Sequence, residues 1–423
     1  MGMACGLVLT TGTLMLWQRG EDSDVSRYRA VRDWVRENYV RDVEPERLSD
    51  LALHGMVERL DDYSRFYDKS QIANLERDTT GYYRGIGAVF RPPLEEGRVL
   101  FTLPGSPADL AGLRPGDTIQ AVDGRARADL GAAEFQSAIS DDSKSEVALT
   151  VRGLDGAERK LRLVPADVVD PTVRHAAIVD ADRGLAYLAI NSFSLETPVE
   201  FDRAIALLQA QGMRALVIDL RGNLGGVLHS AVRVANRFID RGLIVSTEGR
   251  GEPTRHEAKR VEATLVQLPL AVLVDGNTAS ASEVLAGALQ DHRRAVLVGE
   301  PTWGKGMVQK VSSFGDDDAK VKLTTAYYYT PAHTNIERSV QRGREHGLIP
   351  DLRVDLNREG AARVRAFLLH YDPPRSAIEA LRAWEAIEGI ELIETHPPDA
   401  QLEAALGLFR GERPGPWALG KRS

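Results

Sequence analysis

The sequence has little of what disulfide cross-links and nucleic-acid surfaces require. It contains one cysteine, Cys5, so no disulfide can form within the chain and the fold must depend on its apolar core. Asp and Glu residues number 61 against 53 Lys and Arg, which leaves a net charge of −8 at pH 7. Without a basic excess, the surface lacks the usual means of contacting a phosphate backbone. We therefore expect no nucleic-acid partner.

The chain also lacks the patterns of common metal and serine-hydrolase sites. It has no HExxH motif and no GxSxG motif, and its histidines show no paired spacing. The histidines are His54, His175, His229, His256, His292, His333, His346, His370 and His396. We expect no metal ion and no cofactor. A serine–histidine pair that forms only in the folded protein, through His229 or His292, stays open.

Long apolar runs are scarce, and the longest stands at the N-terminus. Met1–Trp17 carries no charge and is followed by Arg19 and the acidic Glu21 and Asp22. It lacks a basic start and an obvious cleavage site, and at about 17 residues it only just spans a bilayer. We expect residues 1–20 to be an export signal or an uncleaved membrane anchor. A buried N-terminal helix is the alternative.

The remaining composition and periodicity predict a multidomain globular protein. The 423 residues are 43% hydrophobic and 27% charged, and apolar residues recur at helical intervals over 28–39 and 48–60. Beyond Pro171, strands alternate with helices, which predicts an α/β core with parallel strands. Strands are expected at 185–190, 215–220, 271–274 and 295–299, and helices at 198–210, 227–239 and 281–290. Further helical patterns follow residue 359.

One polar residue stands at a transition from strand to helix. Ser280 follows the apolar run Leu270–Val274 and a turn, and it precedes the small-residue helix expected at 281–290. Backbone N–H groups and the helix dipole at such a position can stabilise a developing oxyanion. Ser280 and Glu283 also fit a capping box, a purely structural alternative.

Lys305 stands between two glycines, with Trp303, Met307 and Val308 nearby. A free lysine, with a pKa of about 10.4, is no base at neutral pH, but desolvation can lower that pKa by several units. It could then take the proton of a serine hydroxyl. Gln309 could hold the amine without adding a charge. An exposed loop lysine is the alternative.

A glycine-rich loop, DLRGNLGG, covers Asp219–Gly226 at the end of a predicted strand. Active-site loops of α/β sheets gather at the carboxyl ends of strands. GNLGG invites comparison with the GNSGG of trypsin-like proteases, but Leu224 at the nucleophile position has no hydroxyl. A simple glycine turn before a helix is the alternative.

The segments TASASEVLAGALQD (278–291) and GEPTWGKGMVQ (299–309) resemble the signature of the C-terminal processing peptidases. These are serine endopeptidases with a serine–lysine dyad and an embedded PDZ domain. The resemblance implies that Ser280 is the nucleophile, Lys305 the general base and Gln309 the residue that orients the lysine. Trp303 departs from the phenylalanine usual in this family and keeps an aromatic wall.

The same resemblance assigns a role to the glycine-rich loop. In this family a DLRxNxGG loop offers a backbone amide to the oxyanion hole. Gly225 or Gly226 would donate one N–H, and Ala281 would donate the other. Glycine suits this task because the backbone must approach the substrate without a Cβ.

Residues 85–164 are similar to a PDZ domain. GIGAVF (85–90), SPADLAGLRPGDTIQAVDG (106–124), a helix at 130–139 and strands at 147–151 and 159–164 carry the likeness. PDZ domains bind a peptide as an added strand and receive its terminal carboxylate in backbone amides. Gly85, Ile86 and Gly87 hold the positions of that loop. A generic small β domain is the alternative.

The resemblance implies a ClpP/crotonase-like α/β serine-peptidase core with an inserted PDZ domain and helical N- and C-terminal segments. The expected parts are an anchor (1–20), a helical region (21–80), a PDZ domain (81–168), a peptidase core (169–356) and a helical C-terminal region (357–423). The segment between Pro331 and Gly347 is longer than usual for the family.

We therefore predict a serine endopeptidase that cleaves proteins after its PDZ domain recognises an apolar C-terminal tail. We expect it to be exported to the periplasmic side of a bacterial inner membrane, anchored there or released. An activating adaptor protein and a homo-oligomer stay open. A catalytically silent PDZ scaffold and a serine–histidine hydrolase are the rival functions.

Overall fold

A computed structural model describes residues 23–140, 144–315, 319–340, 346–393 and 396–412. The predicted anchor, residues 1–20, lies outside these ranges. Among the described helices, none combines the length and apolar character that crossing a membrane requires. The chain divides into two compact units, a smaller one of residues up to Ile72 with Gln309–Thr325, and a larger one of Ala73–Val308 with Ala326 onward.

The smaller unit contains the two helices that the periodicity predicts. They are α1 (Ser23–Asn38) and α2 (Pro45–Val57), followed by strand β1 (Arg65–Asp68). Strand β1 pairs antiparallel with residues 319–322, and Phe66 on it is buried against His54. A further helix, α3 (Lys69–Thr80), leads from this unit into the larger one.

The region expected to be a PDZ domain is built from short antiparallel strands and two helices. Its elements are β2 (Tyr82–Gly85), β3 (Ala88–Phe90), β4 (Val99–Thr102), α4 (Pro107–Leu110), β5 (Thr118–Val122), β6 (Arg125–Ala126), α5 (Ala132–Ser140), β7 (Val147–Arg152), β8 (Glu158–Leu163) and β9 (Ala166–Val169). The pairs β2–β9 and β3–β4 lie beside a sheet of order β6-β5-β7-β8. Phe135 and Ile139 of α5 pack into the shared apolar core.

A six-stranded sheet organises the rest of the larger unit. Its order is β10 (Val173–Asp180), β11 (Leu185–Ile190), β12 (Ala215–Asp219), β15 (Leu270–Val274), β16 (Val296–Gly299) and β19 (Leu352–Arg353). Strand β10 is antiparallel to β11, and the other neighbours are parallel. Every residue of β11, β12, β15 and β16 is buried, as expected for a parallel sheet covered on both faces.

Helices cover both faces of this sheet. One face packs against α6 (Thr197–Ala210), α7 (Leu228–Asn236) and α8 (Ala281–Asp291), and the other against α9 (Arg358–Leu369) and α11 (Ala400–Phe409). Alternate strand residues point to opposite faces, so Leu188 and Ile218 meet the first set of helices while Tyr187 and Val217 meet the second.

The remaining elements are four strands and one helix, and residues 309–325 of these strands belong to the smaller unit. Strands β13 (Leu243–Gly249) and β14 (Thr254–Glu257) pair antiparallel, and β13 also pairs with residues 326–329 of β18 (Ala319–Tyr329). Strand β17 (Met307–Phe314) precedes β18 and pairs with it. Helix α10 (Arg375–Glu388) packs Leu381 and Trp384 against Phe101 of the PDZ-like region.

The multidomain α/β architecture predicted from the sequence is confirmed. The expected strands and helices of the core are present within one or two residues, with one exception. The helix expected at 227–239 ends at Asn236. The Asn236 side chain donates through Nδ2 to the carbonyls of Ile239 and Lys259, so it takes part in the turn that follows the helix. Helix α11 is a third C-terminal helix beyond the two patterns that follow residue 359.

Candidate active site

Ser280 lies where β15 ends and α8 begins. Its backbone has φ 58° and ψ −119°, an uncommon conformation for a residue with a side chain. The preceding turn is fixed by Thr278, whose hydroxyl donates to Leu220 O at 2.9 Å and accepts from Asp275 N at 2.9 Å. Backbone strain of this kind is found most often at functional sites.

A single buried carboxylate joins the serine turn to the lysine loop. Glu283 is fully buried, and its Oε2 accepts the N–H groups of Ser280 at 2.8 Å and Lys305 at 2.9 Å. Its Oε1 accepts from Thr302 Oγ1 at 2.5 Å and Gly304 N at 2.8 Å. Burial raises the pKa of this carboxyl above its usual value, although the hydrogen bonds favour the charged form.

Glu283 therefore caps the helix, as the structural alternative expected, but it also binds a second loop. Its bond to the Ser280 N–H is the reach of a capping glutamate back to the start of the helix. The remaining bonds go to residues 302–305, far away in the sequence. Sequence reasoning missed this role because helical spacing reveals a cap but not a second loop.

The loop that carries Lys305 is held closely by its neighbours. A Cβ on Gly304 would lie 2.9 Å from Gly347 N, and one on Gly306 would lie 2.8 Å from Glu337 N. Both glycines are therefore required by close backbone approach. Glu337 is buried, and its Oε2 accepts the Gly306 N–H at 2.9 Å.

Gln309 belongs to the smaller unit. It lies on β17, and its Nε2 donates to Thr324 Oγ1 on β18 at 3.3 Å. Thr324 Oγ1 in turn donates to Asp61 Oδ1 at 3.2 Å. The role predicted for Gln309, orienting Lys305, stays a prediction.

The glycine-rich loop lies against the serine turn. A Cβ on Gly225 would come within 2.7 Å of the Ser280 Cβ and 3.0 Å of Ala281 N. Asn223 O accepts the Ala279 N–H at 3.0 Å and the Ser282 hydroxyl at 3.1 Å. The structure thus brings Gly225, Ser280 and Ala281 together. The Gly225 N–H itself donates to Asn223 Oδ1 at 2.9 Å.

Arg221 fixes the first turn of the glycine-rich loop through buried ion pairs. It is 4% exposed and pairs with Asp219 Oδ2 and Asp399 Oδ2, each at 2.6 Å. Its Nη1 donates to Gln401 Oε1 at 2.9 Å, and Tyr187 donates to Asp219 Oδ2 at 2.7 Å. Burial opposes the charge of Arg221, but Asp219 and Asp399 raise its pKa well above the usual value. Asp399 and Gln401 lie outside every motif that the sequence suggested.

Of the two histidines considered as partners of the serine, the structure places His292 away from it. His292 follows the last residue of α8, at the opposite end of that helix from Ser280, and its Nε2 lies 2.7 Å from Leu243 O. His229 is exposed in the first turn of α7. Burial and the nearby His229 lower the pKa of His256. Within the described ranges, no group of three or more His, Cys, Asp or Glu side chains could hold a metal ion.

The predicted carboxylate loop is packed around its glycines. Ile86 is buried, and its carbonyl accepts the Ala108 N–H at 2.8 Å. Gly87 has φ 73°, and a Cβ there would lie 2.3 Å from Ser106 Cβ. Gly85 ends β2 and pairs with Ala166.

A cavity of about 1570 Å³ adjoins the predicted carboxylate loop at Arg84 and Ala88. Its wall takes in Ala88 and Phe90 of β3, Gln136 and Ser140 of α5, and part of the C-terminal region. The C-terminal residues that line it are Phe367, Leu369, His370, Tyr371, Asp372, Pro373, Leu381, Glu391 and Leu392. The space beside the β3 edge could therefore receive an extended peptide.

Comparison with known proteins gives consistent matches. Residues 184–354 match the model of peptidase family S41, and residues 103–153 match that of a PDZ domain. The carboxy-terminal-processing protease of Bartonella bacilliformis is 30% identical over 92% of this chain and 88% of that protein. The carboxy-terminal processing protease CtpA of Bacillus subtilis is 31% identical over 77% of this chain and 70% of that protein.

Solved structures are similar as well. The photosystem II D1 C-terminal processing protease has 30% sequence identity, with 80% of this chain and 95% of that chain covered and a TM-score of 0.44.

Proposed function

Because the chain belongs to peptidase family S41, together with the carboxy-terminal processing proteases, we propose that its active centre is a dyad of Ser280 and Lys305. The resemblance noted in the sequence is confirmed by these relatives. The chain is thus a serine-type peptidase with a PDZ domain, and its substrates are proteins or peptides. The dyad and the recognition of a substrate tail are the finer parts of the proposal.

In the proposed reaction, the neutral amine of Lys305 accepts the proton of the Ser280 hydroxyl as Oγ attacks the scissile carbonyl carbon. The resulting ammonium gives this proton to the leaving amine, and an acyl-enzyme remains. Water then attacks the ester while Lys305 accepts its proton, and the ammonium returns this proton to the Ser280 oxygen as the acyl–oxygen bond breaks and the new carboxyl end is released. A lysine can do this near neutral pH only if its surroundings lower its pKa by several units from about 10.4.

The observation that carries the dyad is the shared anchor of its two members. Ser280 and Lys305 are 25 positions apart in the sequence, yet their N–H groups donate to the same Glu283 oxygen. The positive φ of Ser280 at the start of α8 adds to this support. Both features suit a nucleophile and a base that must keep a fixed geometry.

For the oxyanion hole we propose the N–H of Ala281 and that of Gly225 or Gly226. Gly225 lies against Ser280, which supports its choice. Its N–H donates to Asn223 Oδ1, so it would have to exchange that bond for one to the substrate. Gly226, also at positive φ, is the alternative donor.

We propose that the PDZ domain receives the C-terminal tail of the substrate as a strand added to β3, with the carboxylate at Gly85, Ile86 and Gly87. The cavity beside β3 and α5 has the space for such a strand, and Phe90 in its wall favours apolar side chains. The proposed location is the periplasmic side of a bacterial inner membrane, with residues 1–20 as anchor or signal. An activating adaptor and self-association belong to the same proposal.

The dyad is tested by cleavage of an unstructured protein with an apolar C-terminal tail. Wild type should cleave it, while Ser280→Ala, Lys305→Ala and Lys305→Arg should lose at least about a thousandfold in rate. Arginine fails because its guanidinium stays protonated. Lys310→Ala, which removes an exposed lysine of the next strand, should cleave like wild type.

Two outcomes would contradict the dyad. Cleavage by Lys305→Ala would show that another base acts on the serine. A wild-type protein that binds the tail without cleaving would favour the scaffold function. Replacing the last residue of the substrate with aspartate tests tail recognition separately, and it should raise KM while leaving kcat nearly unchanged.

A further inference from the structure

A third side chain links the serine turn to the lysine loop. Tyr328 lies near the end of β18, where it pairs with Thr247 of β13, and it is 2% exposed within the apolar cluster around α8. Its hydroxyl lies 3.0 Å from Ser280 O and also contacts Lys305 O. Its backbone N–H donates to Gly306 O at 2.9 Å.

Together, Glu283 and Tyr328 hold the main chain of the same two residues, one at the N–H and the other at the C=O of each residue. The carboxylate accepts from the N–H groups of Ser280 and Lys305, and the phenol shares its one O–H proton between their two carbonyls. We call this pair of side chains the backbone clamp. Its members come from α8 and β18, so neither the serine turn nor the lysine loop can shift alone without breaking hydrogen bonds.

The clamp matters because Ser280 is strained. A residue with a side chain at φ 58° keeps that conformation only when its surroundings fix it. The Ser280 carbonyl also accepts the Val284 N–H at 3.0 Å, the first bond of the helix that the serine caps. The phenol therefore holds the carbonyl at the point where the strained residue joins α8.

We propose that Tyr328 is a positioning residue of the peptidase, which fixes the separation of Ser280 and Lys305 through their main chains. This inference rests on the proposed dyad. It assigns a function to one tyrosine of the run Tyr327–Tyr329 that the sequence could not distinguish from its neighbours.

Tyr328→Phe removes the hydroxyl and keeps the ring. The full chain is compared with Tyr329→Phe, a matched control whose half-buried ring stacks on His333 at 4.7 Å. Acylation by a fluorophosphonate probe and cleavage of the tailed substrate should slow by about ten- to hundredfold in Tyr328→Phe, because small displacements of reacting groups have effects of this size. KM should change less than about twofold, and Tyr329→Phe should behave like wild type.

The pH dependence separates positioning from general weakening. A lysine on a looser loop is better hydrated and loses its proton less readily, so the pH at which acylation reaches half its maximum should rise in Tyr328→Phe. The proposal would be overturned if both phenylalanine variants lost the same factor in acylation rate and kept the pH midpoint of wild type. A Tyr328→Phe enzyme that acylates at the wild-type rate would overturn it as well.

Hydrogen exchange tests the clamp without requiring catalysis. In Tyr328→Phe the amides of segments 278–283 and 302–308 should exchange faster, while the rest of the larger unit stays protected. Unchanged exchange in both segments would overturn the clamp, whatever the activity. If wild type does not react with the probe but the exchange result holds, the proposed dyad fails and the clamp stands.

Discussion

Both faces of the central sheet are covered by buried apolar side chains, but they differ in what they carry. On one face, α8 begins at Ser280 and α7 follows the glycine-rich loop. On the other face, α9 and α11 hold none of the candidate catalytic residues and follow residue 354, where the match to peptidase family S41 ends. The first face therefore carries the site, and the second carries its support.

The support is nevertheless connected to the site. Arg221, at the start of the glycine-rich loop, is paired by Asp399 and Gln401 from the beginning of α11. A part of the chain outside the family match thus fixes the base of a loop inside it. Integrity of the active centre should depend on residues that no catalytic motif includes.

Asp399→Ala should have the largest effect, because it removes one carboxylate partner of a buried arginine. Breaking a buried pair from one side costs about 3–5 kcal/mol of unfolding free energy. Asp399 also caps α11 through bonds to Gln401 N and Leu402 N, which adds to the loss. Denaturant unfolding measures the change, and cleavage should slow as well because Arg221 leads into the glycine-rich loop.

Glu403→Ala on the same helix is the matched control. Its carboxylate pairs with Arg410 at 3.0 Å and is 63% exposed, so losing it should cost less than about 1 kcal/mol. Equal losses in the two variants would show that the second face does not support the loop through Asp399.

A comparison of Leu406→Ala with Leu285→Ala separates the effect of lost core packing on stability from its effect on activity. Leu406 is 3% exposed in the core of the second face, and truncating a buried leucine costs about 2–5 kcal/mol. Leu285→Ala, at a fully buried position of α8, should cost a similar amount. Below both unfolding midpoints, Leu406→Ala should keep wild-type kcat while Leu285→Ala loses activity, since α8 begins at Ser280. If Leu406→Ala lost activity and Leu285→Ala kept wild-type kcat, the second face and not the first would hold the site.

Much of this architecture was predictable from the sequence because the signals are local. The buried strands are continuous apolar runs such as Leu270–Val274, and they are found within one residue of the expected bounds. Ser280 and Lys305 were proposed from a motif whose members are close in the sequence. The largest error at an element boundary concerns the helix that ends at Asn236, whose side chain bonds to the turn that follows.

The rest depends on contacts between distant residues, for which a single sequence has no signal. Glu283 is recognisable as a cap, but its bonds to residues 302–305 depend on how two loops meet. Tyr328 has two tyrosine neighbours, and only the register with β13 places its ring inside. Asp399 follows two prolines and precedes an apolar helix, so its sequence indicates a cap and nothing about Arg221.

The smallest change that tests the connection between the faces is Tyr187→Phe. The ring of Tyr187 packs on the second face, while its hydroxyl donates to Asp219 beside Arg221. Losing a hydrogen bond to a charged group should cost about 1.5–3 kcal/mol. Tyr371→Phe, which loses a phenol–carboxylate bond to Asp170 at a half-buried position, should cost less.

The effect of Tyr187→Phe should depend on pH in a defined direction. Burial raises the pKa of Tyr187 well above 10.0, so the unfolded chain loses this proton first. The phenol therefore contributes its full stability below about pH 10, and that contribution is lost as the pH rises further. The difference in unfolding free energy between wild type and Tyr187→Phe should narrow above this pH. A constant difference would mean that Tyr187 ionises at the same pH in the folded and unfolded states.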